Sequence, residues 1–179
     1  MSSMCRLRPF ALASAVLACA APALAQNDSE AAIAPCIEAA GTYLTTRTIK
    51  AEGGPDVVMR SLLSLTGDGQ AFFTDSSQGG VLDYQPFSDG QGAWGCVLAR
   101  EGTIRLTALI LDFTFPNDAD PDAKIARLDI SADVAVASGE ISGSTTIGFV
   151  ALDGNPFDKT RLSDPIDYTF TGMKVEASR

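Results

Sequence analysis

The strongest constraint on this chain is a period of two. Between Ile125 and Ala137, the residues Ala126, Leu128, Ile130, Ala132, Val134 and Val136 alternate with Arg127, Asp129, Ser131 and Asp133. Successive side chains on a strand point to opposite faces, so this stretch has one apolar and one polar face. The same alternation recurs between turn residues along most of the chain. Strands are expected over 42–50, 57–65, 71–75, 93–100, 103–115, 125–137, 140–150 and about 166–175, the last with a bulge at Gly172. Thr66-Gly67-Asp68-Gly69-Gln70, Glu101-Gly102 and Ser138-Gly139 read as tight turns, and 76–92 and 116–123 as longer loops. Eight strands joined mostly by short connections predict an all-β fold. We read it as an eight-stranded up-and-down antiparallel barrel, because closure removes free strand edges, with a two-sheet β-sandwich as the alternative. No internal repeat of 20–50 residues is visible, which argues against a propeller or solenoid.

The first residues follow a different logic. Arg6 and Arg8 precede an apolar run from Pro9 to Ala18, and Ala23-Leu24-Ala25 supplies small residues for cleavage. This order is that of a secretory signal peptide over 1–25, with an apolar run too short to span a bilayer. The expected mature protein, 26–179, is one domain, exported to the periplasm or the extracellular space. Val16-Leu17-Ala18-Cys19 also resembles a bacterial lipobox, so a lipoprotein anchored at Cys19 is the alternative. Residues 27–40 form the one helical stretch, with Asn27 and Ser29 as N-caps; Pro35 interrupts it, which leaves one helix and two short turns equally open.

Charge and cysteine content narrow the function classes. Without the leader the chain keeps eleven basic and twenty-two acidic residues, a net charge near −11. That balance repels phosphate backbones and argues against nucleic-acid binding. Two cysteines remain, Cys36 and Cys96, and in an oxidising compartment such a pair is expected to form a disulfide. The chain has no histidine, which excludes Ser-His-Asp and Cys-His catalysis and histidine-ligated metals. No cofactor is implied.

Gly41-Thr42-Tyr43, opening the first strand after a short N-terminal turn, resembles the Gly-x-Trp start of calycins, the lipocalins and their relatives. Tyr43 stands in the tryptophan position, and the chain lacks the Thr-Asp-Tyr motif of that family. The resemblance implies a small apolar ligand carried inside the barrel.

Few side chains are candidates for chemistry. Asp112 shares a face with Ile104, Leu106, Ala108 and Ile110, which places a carboxyl in or near the core, where desolvation raises its pKa. A strand end turning it to solvent, or Arg105 or a tyrosine satisfying it, is the plainer alternative. The same strand carries Leu109, Leu111, Phe113 and Phe115 on its other face, which calls for cover from the N-terminal segment or from a homodimer contact. Asp118, Asp120, Asp122 and Asp129 echo the spacing of an EF-hand calcium loop, but Ala123 replaces the required glycine, and a solvated acidic tip is the expected state. Trp94, Phe149, Tyr168, Phe170 and Tyr43 face the expected interior and, with Asp112, form the candidate ligand-binding set.

Together these features lead us to expect a non-enzymatic exported protein that binds a small apolar or amphipathic ligand. A structural or adhesive exported module, and a cofactor-free isomerase or cyclase using Asp112, are the other classes the sequence allows.

Overall fold

The computed structural model describes residues 34–49, 56–81, 84–100 and 102–176. The expected signal peptide, the lipobox-like stretch ending at Cys19 and the N-terminal part of the expected helical stretch lie outside these residues. What is described of that stretch is one 3₁₀ turn, Ala34–Glu38. Pro35 falls inside it, where an α-helix would lose a hydrogen bond, and Gly41 follows it at φ 145°.

Eight antiparallel strands then follow in sequence order and close on themselves: β1 (Gly41–Ile49), β2 (Val57–Leu65), β3 (Gln70–Asp75), β4 (Gly90–Arg100), β5 (Thr103–Phe113), β6 (Lys124–Ala135), β7 (Glu140–Ala151) and β8 (Ser163–Lys174). The seam pairs β1 with β8, Tyr43 opposite Lys174 and Thr46 opposite Thr171. The fold is therefore the closed up-and-down barrel, compatible with a calycin-like architecture, and not the sandwich.

Alternation decides what goes inside. Leu63, Ile104, Leu106, Ile110, Leu128, Val134 and Ile141 are fully buried, whereas Arg105, Ser131, Asp133, Ser142 and Ser144 face outward. The outer wall mixes these hydroxyl and charged side chains with exposed Leu44, Val58, Leu62, Phe72 and Val97. Among the described residues no helix is long and apolar enough to cross a membrane.

Two local features differ from expectation. Gly172 is not a bulge, since it keeps register with both Thr45 and Ile141. Its role is close approach: a Cβ there would lie 2.5 Å from the Leu44 carbonyl oxygen. The register shift in β8 falls instead opposite Ile147–Phe149, where Pro165 has no N–H to donate. β4 also begins three residues early, at Gly90. A Cβ at Gly90 would come within 2.6 Å of Ile110 Cγ2, so the missing side chain lets β4 lie closely on β5.

The two ends of the barrel are unlike. Connections 66–69, 101–102 and 136–139 are tight, with Gly69, Gly102 and Gly139 at positive φ. The connections that follow β1, β3, β5 and β7 are longer and leave from the other end. At the tight end the 3₁₀ turn packs against β4 and is bonded to it through Cys36–Cys96, with S–S 2.02 Å and Cα–Cα 5.6 Å. Tyr43 Oη donates to the Ala39 carbonyl at 2.7 Å, Lys174 Nζ to that of Glu38 at 3.2 Å, and Trp94 Nε1 to that of Thr66 at 2.9 Å. Burial pushes the Tyr43 phenol up to about 12, so it remains a donor. This end is a filled core. On the outer face of β5, Leu109 and Leu111 are half-buried, while Phe113 and, just past the strand, Phe115 are exposed.

Candidate functional site

Function, if it lies in the barrel, has to lie at the end with the long loops. A cavity of about 300 Å³ opens there. Its floor is a polar layer built from three strands. Arg47, the third inward residue of β1 after Tyr43 and Thr45, is buried and points its guanidinium at Asp75 on β3. Arg47 Nη1 lies 2.6 Å from Asp75 Oδ2 and 3.3 Å from Ser61 Oγ on β2, and Nη2 lies 3.2 Å from Met59 Sδ. Asp75 is fully engaged: Ser61 Oγ donates to Oδ2 at 2.5 Å, and Ser77 donates its N–H at 2.8 Å and its hydroxyl at 2.5 Å to Oδ1. A buried ion pair offsets its desolvation only when the remaining polar atoms are satisfied; the two serines do that for Asp75, while Arg47 Nε has no partner. Tyr168 on β8 completes the floor, its ring 4.4 Å from Arg47 Cζ and its hydroxyl 3.4 Å from Nη1. Beneath this layer only a void of about 10 Å³ remains before the core, so the cavity ends at the floor.

The walls are apolar. Phe73, Leu128, Ile147, Phe149 and Ile166 rise from the strands, and Val81, Tyr84 and Phe87 come from the described parts of the connection between β3 and β4. That connection is held down by its own chemistry. Phe87 bridges to Thr114, the Phe115 N–H donates to the Pro86 carbonyl at 2.7 Å, and Gln85 Nε2 donates to the carbonyls of Asp120 and Asp122 at 2.9 and 3.0 Å.

Asp112 stands in this wall near the end of β5. It is 3% exposed, and its Oδ1 has no hydrogen-bond partner. Arg105 does not reach it, being on the outer face in a bidentate pair with Asp133. Desolvation pushes the Asp112 carboxyl up to about 7, and no cation draws it back. The Tyr168 hydroxyl is also raised by burial, with Arg47 and a hydrogen bond to Thr145 acting the other way and the Asp75 and Asp112 carboxyls adding to the rise.

The expected ligand set therefore divides. Asp112, Phe149 and Tyr168 line the cavity. Trp94, Phe170 and Tyr43 do not; all three belong to the filled core at the other end. The alternation assigned each to the inside correctly but says nothing of height along the barrel axis. Arg47 and Asp75 were missed, although both fall on the inward period of their strands, Tyr43-Thr45-Arg47 and Ala71-Phe73-Asp75. A charge at an inward position was the available signal.

The four calcium-loop aspartates are not brought together. Asp120 pairs with Lys124, Asp129 pairs with Arg127 and Lys159 on the outside of β6, and Asp118 and Asp122 are exposed. No group of three or more acidic, cysteine or histidine side chains among the described residues is placed to hold a metal. A larger but shallow concavity, about 620 Å³, runs over the outside of β1, β8, β7 and β6. Its floor is the hydroxyl-rich outer wall, with no buried unpaired group. The disulfide is consistent with an oxidising, exported environment.

Compared with known proteins, the chain matches no family model, no curated protein and no solved structure.

Proposed function

We propose that this protein is exported and binds a small amphipathic molecule in the open end of its barrel, without chemical turnover. The observation that carries the reading is the cavity of about 300 Å³ with apolar walls, a polar floor and one buried carboxyl oxygen left unpaired. Enclosed apolar pockets with a few convergent polar groups are where proteins hold small ligands, and this volume is at the lower end of the usual range. An unpaired buried polar atom costs free energy that a ligand group can recover. The resemblance of Gly41-Thr42-Tyr43 to the calycin start, on a barrel of eight strands, supports the same reading.

A purely structural module has no use for an open cavity with a buried unpaired carboxyl. The enzyme reading draws on Asp112, whose elevated pKa suits proton transfer. It lacks a partner, because the Tyr168 hydroxyl is engaged by Arg47 and Thr145 and burial raises it further from neutrality.

Native mass spectrometry of protein purified from its own source, compared with the denatured mass, tests the proposal. The expected result is an excess of a few hundred daltons that is lost on denaturation. A bare native mass that also stays bare after incubation with N-phenyl-1-naphthylamine, a neutral apolar probe, would overturn it.

A further inference from the structure

The charge pattern inside the cavity says which end of an amphiphile it takes. We infer that the ligand is an apolar molecule with a protonated amine at one end, and that the amine sits on Asp112. The inference rests on the binding reading above and deepens it.

A fatty carboxylate in such a cavity needs a free cation, and the described residues lining this one offer none. Arg47 is matched by Asp75 at 2.6 Å and by the Tyr168 ring, and Lys124 at the rim is paired with Asp120 at 2.5 Å. Asp112 is the group without a counter-charge; the other buried polar atom without a partner is Arg47 Nε, whose guanidinium charge is already met by Asp75. Its neighbours along the inward face and on β6 are Ile110, Ala126 and Leu128, which bring neither donor nor charge, and Thr114, whose hydroxyl accepts from the Lys124 N–H and carries no charge. The other ionisable or charged groups around the cavity are Arg47, Tyr84, Asp120, Lys124 and Tyr168. Their charges cancel in the two pairs, so among the described residues the cavity has one uncompensated negative site.

The surroundings of that site favour an organic cation. Phe73, Tyr84, Phe87 and Phe149 place aromatic rings around the same space, and ring faces attract ammonium groups most strongly where water is excluded. A protonated amine supplies both what Oδ1 lacks, a donor, and what the carboxylate lacks, a counter-charge. The acidic balance of the chain draws cations toward the mouth and repels anions.

The test is displacement of N-phenyl-1-naphthylamine from the full mature protein by decylamine, decanol and decanoate at about pH 8. These share one apolar tail and differ only in the head. Charge-assisted hydrogen bonding predicts decylamine roughly 10-fold tighter than decanol and roughly 100-fold tighter than decanoate. In Asp112→Asn, which keeps the shape of the side chain, the amine's advantage over the alcohol is expected to fall to about threefold or less, each affinity being taken relative to the probe's affinity for that variant. Decanol or decanoate binding as well as decylamine would overturn the inference, as would an amine preference that survives in Asp112→Asn. Either result, with the probe bound, leaves the binding reading standing. Failure of the probe itself to bind would remove both.

Discussion

Asp112 makes the stability of this protein depend on pH in an unusual direction. The carboxyl has an ordinary value of 3.8 in the unfolded chain and about 7 in the barrel, because burial disfavours its charged form. At intermediate pH the folded state therefore binds a proton that the unfolded state has released. Stability falls as pH rises through that window: the full contribution is present below about pH 4 and is gone above about pH 7. About three pH units at 1.36 kcal/mol each give roughly 4 kcal/mol in total, more than half of it between pH 5 and pH 8. Solvent screening takes little from this figure, since the residue is 3% exposed. Few other groups blur the window. The chain has no histidine, and Asp68, Asp89, Asp120, Asp129 and Asp133 are held below their ordinary value, so their contributions change only at more acidic pH. Urea unfolding at several pH values from 5 to 8, followed by Trp94 fluorescence, should show the midpoint falling steadily as pH rises. Asp112→Asn should flatten that slope and bring the variant close to or above wild type at pH 8, less about 1–3 kcal/mol for an amide without partners. A wild-type midpoint that does not change between pH 5 and pH 8, or a slope unchanged in Asp112→Asn, would refute the burial argument.

Three further outcomes can be checked by denaturant or thermal unfolding. Replacing Cys36 and Cys96 together by serine opens a loop with a sequence separation of 60 and should cost about 4 kcal/mol in the chain-entropy model. Arg47→Met leaves Asp75 without its cation and should cost about 3–5 kcal/mol, while Arg47→Met combined with Asp75→Asn should recover part of the loss. Gly172→Ala forces a methyl toward the Leu44 carbonyl and should cost about 1–3 kcal/mol, whereas Gly95→Ala, facing open space, should stay within about 0.5 kcal/mol of wild type.

Much of the fold is legible because one face of nearly every strand is wet. β2 can be read to the residue, Val57–Leu65, since Met59, Leu63 and Leu65 alternate with exposed or half-exposed neighbours and a glycine-proline stop precedes them. β4 is harder. Gly90 and Gly92 read as loop, yet their missing side chains are what let β4 approach β5. The site is half legible for a related reason. Period two separates inside from outside, which suffices to find Asp112, but it does not tell the filled end from the open one. Trp94 and Phe149 are therefore indistinguishable until the turns are assigned to ends. The Arg47–Asp75 pair joins strands 28 residues apart, and only the closed barrel shows that the two inward charges meet.

The central claim is that the open end of the barrel is a ligand cavity, and filling it is the most direct test. Ala126 is buried in the cavity wall beside Asp112, so Ala126→Phe should fill the space without touching the core at the other end. Titrating N-phenyl-1-naphthylamine into both proteins should give saturable enhancement with wild type and none with Ala126→Phe, while circular dichroism shows the barrel retained. Equal enhancement in the two proteins would place binding elsewhere and contradict the account.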